Sequence, residues 1–332
     1  MTEKHWTGPN GIFIINIPAN WQYRNTVLEN IEEKSPYSFE QYENSAGCFQ
    51  LSCYPLSERG VNPNFPIQKS DSKIDWLESR MDDEEFDMYL WHAQVDDQFC
   101  MAKCIYSAKD RKLSKVKKLI KKTRKALDSF RVIPENDRNY AVALNKYDNF
   151  NGSLASSYDL RERALESKSH IEIIAIVSNQ IDAYLRLSIL LKKQLEKETN
   201  EIEVKYLFQE ENGKGIMERS IYKEAKSLNI ISDEIFDELN SLYNMRNRVI
   251  HRYIISYIKT IDIAETAAKY LLISEEIRGL LKLIEEKQIE SGIGIYGKGY
   301  LKDYEITLED QRIAWSMAND KHLIKDLQRK IE

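Results

Sequence analysis

Two periods divide the chain. Over residues 1–133 the apolar positions alternate in short runs, as half-buried strands require. Such runs lie at residues 11–18, at 48–54 with Phe49, Leu51 and Cys53 on one face, and at 86–95 and 99–106. The last two meet at Asp96-Asp97-Gln98, which predicts a hairpin turn. Between these runs Ile74, Leu77 and Met81 fit a short helix, and Pro36, Pro55, Pro63 and Pro66 punctuate the loops. An amphipathic helix over residues 111–130 closes this half, with Leu113, Val116, Ile120, Leu127 and Phe130 as its apolar stripe. From Leu160 the period becomes helical. Ile171, Ile174, Val177, Ile181, Tyr184, Leu185 and Ile189 mark a long helix, and a shorter segment follows at 204–208. A further helix spans 216–228. Ser232 is set to cap the next, which runs through Ile235, Leu239, Leu242, Val249 and Tyr253. A last long helix covers 261–288.

Residues 134–157 interrupt both patterns. Asn136, Asn139, Asn145, Asn149 and Asn151 and a closing Asn-Gly-Ser predict a linker with room for one short element. The expected organisation is therefore an α+β N-terminal domain over 1–133, in which an antiparallel sheet meets a packing helix. A linker follows over 134–157, then an all-α bundle over 158–290 and an extension over 291–332. In the first half, an early strand, Pro18-x-x-Trp21, a sheet and a late helix loosely resemble the PsbP-like sandwich, a likeness of fold order without a catalytic motif. In the extension, Gly292-Ile293-Gly294-Ile295-Tyr296-Gly297 matches the letters of a dinucleotide fingerprint, but a helix precedes it and no βαβ unit follows. Thr307-Leu308-Glu309-Asp310 predicts the cap of a final short helix.

Composition narrows the function classes. At 332 residues, 42% hydrophobic and 30% charged, the chain is an ordinary globular one with room for a core. Its net charge of -5 does not advertise nucleic-acid binding, so any such contact needs a local patch. One candidate is the lysine face of the 111–130 helix, with Lys112, Lys115, Lys118, Lys121, Lys122 and Lys125. It is either a phosphate-tracking surface or a solvated face. Cys48, Cys53, Cys100 and Cys104 lack zinc-site spacing and read as reduced, half-buried residues. The opening residues lack an apolar signal core, and no run of about 18 apolar residues occurs, so the expectation is a cytoplasmic protein without metal, cofactor or membrane contact.

Chemistry concentrates in Tyr243-Asn244-Met245-Arg246-Asn247-Arg248-Val249-Ile250-His251-Arg252-Tyr253. Arg246 and His251 lie five residues apart, about 140° around a helix. Asn247 shares the face of His251, one turn before it. Arg246 shares a stripe with Leu239, Leu242, Val249 and Tyr253, where a permanent charge is costly without a partner. Two solutions are open: an ion pair to an acid on the first bundle helix, Asp182 or Glu172, or a cleft in which the guanidinium meets a phosphate.

Arg246-Asn247-x-x-x-His251-x-Tyr253 resembles the Arg-(four to six residues)-His motif of the HEPN superfamily, in the toxin-type variant with x-Tyr after the His. That resemblance covers residues 160–290. It implies a helical bundle that pairs as a homodimer across one cleft and cleaves RNA without metal, the ribose 2′-hydroxyl attacking the adjacent phosphate. It implies His251 as general acid or base, a role suited to imidazole near neutral pH. Arg246 would offset charge on the phosphorus, and Asn247 would orient the His or a phosphate oxygen. Arg248 and Arg252 would contact the RNA backbone, and Asp182 would support the pair. DNA, lacking the 2′-hydroxyl, is not expected to be cut. Tyr253 is read as a core Tyr with a bonded hydroxyl; in related toxins the equivalent Tyr is modified by an antitoxin. The fused first half and the extension depart from stand-alone toxins. They imply an antiphage or stress-defence effector whose first half senses a trigger, such as a phage product, or restrains the nuclease. Two further readings stay open: a non-catalytic HEPN-like module for RNA or nucleotide binding or dimerisation, and a scaffold in which Arg246 is a structural ion-pair partner. His5, His92, His170 and His322 have no partner at useful spacing.

Overall fold

The computed structural model describes residues 3–24, 35–41, 44–209 and 213–297. It resolves into an N-terminal sheet region and a C-terminal helical region. Among the described residues two compact units emerge, one up to Asn145 and one from Lys146 onward.

In the first unit β1 (Glu3–Thr7), β2 (Phe13–Pro18) and β10 (Arg131–Val132) form a three-stranded antiparallel sheet, ordered β1-β2-β10. The larger sheet runs through β3 (Trp21–Tyr23), β4 (Tyr37–Gln41), β5 (Cys48–Pro55), β9 (Gln98–Ser107), β8 (Phe86–Val95) and β6 (Ile67–Gln68), and β7 (Leu77–Asp82) also pairs with β8. Among the described strands only β6 runs parallel to its neighbour. Helix α1 (Leu56–Arg59) is a single turn after β5, and α2 (Ser114–Asp128) follows β9. The β8–β9 hairpin turns on Asp96 and Asp97, between the paired Val95 and Gln98, with Asp96 at φ 49°. Asp tolerates that left-handed conformation better than most residues.

The core of this unit is aromatic. Phe13, Phe39, Phe49, Phe130 and Trp21 are buried, and Val116, Leu119, Ala126 and Leu127 of α2 close over them. Leu113, assigned to the stripe of α2, instead precedes its first turn and is exposed.

The short helix expected around residues 74–81 is a strand. All six residues of β7 are exposed, because it is an edge strand over β8, with Leu77 paired to His92 and Asp82 to Asp87. Polar contacts hold it: Glu78 accepts from Trp91 Nε1 at 2.7 Å and pairs with Arg124 of α2 at 2.6 Å. Ile74, Leu77 and Met81 fit a helix by their spacing, but Ile74 is a buried core residue before the strand begins, and Leu77 and Met81 lie on an edge whose residues are not selected for burial.

Residues 134–157 are not a loop linker. After a 3₁₀ turn at Glu135–Asp137, they enter α3 (Arg138–Glu166), and the boundary between the units falls inside this helix. Its buried positions include Ala143, Tyr147, Gly152, Ser156 and Ala164. Small and polar residues fill most of that stripe, so hydropathy alternation is faint. Asn151 donates to the Tyr147 carbonyl at 3.1 Å and Ser157 to that of Leu154 at 2.6 Å, which satisfies poor helix formers inside the helix.

The second unit is a bundle of the latter part of α3 with α4 (His170–Glu196), α5 (Glu218–Ser227), α6 (Asp233–Arg252) and α7 (Thr260–Ser291). α4 and α7 pack along each other, and Gln288 bridges them from a buried position, donating to the Leu191 carbonyl and to Gln194 Oε1. α4 is long and apolar enough to span a membrane by length and composition, but 67% of its most apolar stretch is buried, as in a core helix. The helix expected at Thr307–Asp310 lies outside the described residues.

Candidate functional site

Helix α6 starts where the sequence places it. Ser232 accepts from Ile235 N at 3.3 Å, and Asp233 and Glu234 sit in the first turn, where negative charge opposes the helix dipole. Ile235, Leu239, Leu242 and Val249 are buried and fix the rotation of the helix. That rotation decides which way each residue of the motif turns.

Arg246 turns inward. Its Nη1 lies 2.6 Å from Glu218 Oε2 of α5, and the two side chains keep only 17% and 15% of their exposure. The acid is thus on α5, rather than Asp182 or Glu172 of α4. Tyr222, also on α5, donates its hydroxyl to Glu218 Oε1. The Arg246 guanidinium lies 4.8 Å from the centre of the Tyr243 ring, and its Nη2 donates to Asn247 Oδ1 at 3.4 Å. Desolvation works against the Arg246 cation, but the charge and hydrogen bond of Glu218 more than offset it.

Asp182 belongs to the same neighbourhood. Arg186 Nε donates to its Oδ2 at 2.6 Å, and Arg186 also donates to the Ile216 carbonyl, just before α5, at 2.9 Å. Asp182 Oδ1 is buried without a hydrogen-bond partner among the described residues. Burial pushes the Asp182 carboxyl up; Arg186 pulls it down, Glu218 adds to the rise and Arg246 opposes it. Tyr270 of α7 is buried, its hydroxyl without a hydrogen-bond partner among the described residues, within reach of the Arg246 and Glu218 charges. The interior of the site is therefore a balanced set of two cations and two carboxylates with two phenols.

The remaining motif residues face outward. Arg248, His251 and Arg252 are exposed, and His251 and Arg252 occupy the last turn of α6, where positive charge suits the dipole. Among the described residues none hydrogen-bonds the His251 imidazole or links it to Arg246. Tyr253 is not the core residue expected: α6 ends at Arg252, and Tyr253 is 44% exposed. Next to it Ile254, Ile255 and Tyr257 are almost wholly exposed, and Ile250 is exposed beside His251. Arg246 and Asn247 are thus brought together, while His251, Arg248 and Arg252 share the open end of the same helix.

Arg219 was not singled out from sequence. Its guanidinium also lies over the Tyr243 ring, 4.5 Å from the ring centre, and donates to Asn244 Oδ1 at 2.5 Å. Glu218 and Arg219 were legible only as charges on the 216–228 helix, since sequence spacing does not say which helices touch.

The glycine-rich run after α7 is a helix cap. Gly292 ends α7 at φ 68° and Gly294 stands at φ 80°, where an added Cβ would strike Gln288. The backbone amides of Gly294, Ile295 and Tyr296 donate to Asn200, Gln194 and Gln288.

No family model matches the chain, and no curated protein matches it. Among solved structures, a protein from Bacteroides thetaiotaomicron VPI-5482 is similar over 54% of this chain and 79% of its own. The identity is 12% and the TM-score 0.28.

Proposed function

We propose that the helical unit is a HEPN-type endoribonuclease that cleaves RNA without metal and works as a homodimer. The observation that carries this reading is the motif's disposition on α6: a half-buried, anchored Arg246 and an exposed His251 in the closing turns, beside an exposed apolar surface. In the proposed reaction His251 takes the proton from a ribose 2′-hydroxyl. The 2′-oxygen forms a bond to phosphorus, the bond from phosphorus to the 5′-oxygen breaks, and the leaving 5′-oxygen gains a proton from the second imidazole of the dimer. The products are a 2′,3′-cyclic phosphate and a 5′-hydroxyl. Arg246 offsets charge on the pentavalent phosphorus. Glu218 and Tyr243 hold its guanidinium in one place, so less side-chain entropy is lost when a phosphate arrives. Arg248 and Arg252 bind the RNA backbone from the exposed face. The exposed Ile250, Tyr253, Ile254, Ile255 and Tyr257 suit contact with a second copy, which would bring two motifs together.

A deoxy substitution tests the chemistry. An RNA oligonucleotide that the protein cuts should become resistant when the ribose on the 5′ side of the scissile phosphate lacks its 2′-hydroxyl. Cleavage of that substituted strand would contradict the mechanism.

The Arg246–Glu218 pair also favours a second reading, in which Arg246 is structural and the bundle is a non-catalytic module for RNA or nucleotide binding or dimerisation. A folded Arg246→Ala protein that retains full cleavage, or a wild type that binds RNA and leaves it intact, would support this alternative.

A further inference from the structure

The two cations inside the site are already neutralised. Arg246 pairs with Glu218 at 2.6 Å, and Arg186 pairs with Asp182 at 2.6 Å. Together they offer an incoming phosphate almost no net charge, and the Arg246 side chain keeps only 17% of its exposure. The positive charge that draws a polyanion to this site has to come from a cation that no acid engages.

Arg219 is such a cation. It is exposed, and among the described residues it has no ion-pair partner. Two neutral groups hold it instead. Its Nη2 donates to Asn244 Oδ1 at 2.5 Å, and its guanidinium lies 4.5 Å from the centre of the Tyr243 ring. The Arg246 guanidinium lies 4.8 Å from the same centre, so one ring sets the two cations near each other. An amide oxygen and a ring fix the Arg219 guanidinium without cancelling its charge. The bond to Asn244 leaves most of its N–H donors for phosphate oxygens. Helix formation does not account for the residue either. Arg219 stands in the first turn of α5, where positive charge opposes the helix dipole, while its neighbour Glu218 is taken up by Arg246.

We propose that Arg219 binds a backbone phosphate of RNA next to the one that Arg246 faces. The inference rests on the RNase reading and adds a substrate contact to that same site. Arg219 holds the strand and takes no part in the proton transfers.

The test uses the full-length protein with Arg219→Gln, Arg219→Lys and, as a control for general charge, Lys282→Gln. Binding of a labelled 2′-O-methyl RNA strand, which keeps the phosphates but lacks the nucleophile, is followed by fluorescence anisotropy over a range of salt. Cleavage of the matching RNA gives KM and kcat. Arg219→Gln is expected to bind at least tenfold more weakly at low salt, with a salt slope smaller by about 0.7, the value for one phosphate contact on a single strand. Its KM should rise by the same factor with kcat within twofold of wild type, the pattern of a contact made equally before and during reaction. Arg219→Lys should restore most of the affinity, and the melting temperature should not move. Unchanged affinity and salt slope in Arg219→Gln would overturn the proposal. So would an equal loss in Lys282→Gln, or a loss that Lys does not restore and that comes with a lower melting temperature. A wild type that binds the strand but cuts no RNA would sink the RNase reading alone, and the salt slope would still decide the Arg219 contact. A wild type that binds no strand would overturn both.

Discussion

Arg246 and Glu218, 28 residues apart in sequence, meet at 2.6 Å with most of both side chains withdrawn from solvent. This contact ties α6 to α5 and sets where the guanidinium can act. Removing one partner leaves the other charge poorly solvated, which is costlier than losing the pair's attraction alone. Arg246→Ala is therefore expected to lower stability by about 1–3 kcal/mol, and Glu218→Gln by less, because Gln still accepts a hydrogen bond. In denaturant unfolding the double variant should recover part of the summed loss, since each single change strands the other's partner. Strictly additive losses would show that the two side chains do not act as a pair.

The end of α6 presents Ile254, Ile255 and Tyr257 to solvent in one short stretch. If a second copy covers it, Ile255→Glu places a charge in the contact. Sedimentation velocity should then show a dimer for the wild type and a monomer for the variant, with RNA cleavage lost in parallel. A variant that stays dimeric with full activity would place the interface elsewhere.

Glu203 gives the fold a pH dependence with a defined sign. Burial alone would raise its carboxyl, but hydrogen bonds from Lys205 and Lys197 and the charge of Lys193 outweigh it and hold the group at about 2, below the ordinary 4.5. A depressed carboxylate binds fewer protons when folded, so its contribution is present above about pH 4.5 and lost as pH falls toward 2. Glu203→Gln should cost about 1–2 kcal/mol at pH 7 after discounting the solvent-screened lysines, and the difference from wild type should shrink as pH falls toward 2. A difference unchanged between those pH values would contradict the assignment.

The four cysteines divide by burial. Cys48 is partly exposed, whereas Cys53, Cys100 and Cys104 are buried, and burial pushes the Cys104 thiol up to about 12. Burial also raises Cys53, whose Sγ lies 3.5 Å from that of Cys100 across β5 and β9. Because the thiolate is the reacting form, iodoacetamide at pH 8 should modify Cys48 first in the folded protein, and the other three only as denaturant opens the sheet. Equal native rates at all four positions would rule out this packing.

Much of the architecture was legible because local pattern and burial agree. The β8–β9 hairpin and the start of α6 at Ser232 lie where alternation, turn chemistry and capping put them. α3 was not legible, since its buried face uses Ala143, Gly152, Ser156 and Ala164, which carry little hydropathy contrast. β7 was misread because an exposed edge strand has no inward face to impose a period of two. At the site, sequence singled out Arg246, Asn247 and His251 and required a partner for the Arg. It did not supply Glu218, because the pairing of α5 with α6 is a tertiary fact. Tyr253 was misplaced for a related reason: its position on the apolar stripe of α6 stops mattering once the helix ends at Arg252.

His251→Ala decides the central proposal. Wild type and variant, each shown to be folded, are incubated with total RNA and tRNA in EDTA, and fragment ends are identified. Cleavage by the wild type alone, leaving cyclic-phosphate and 5′-hydroxyl ends, is the predicted result. Equal cleavage by both proteins, or intact RNA with a folded, dimeric wild type and with its isolated 146–332 fragment, would contradict a nuclease centred on His251.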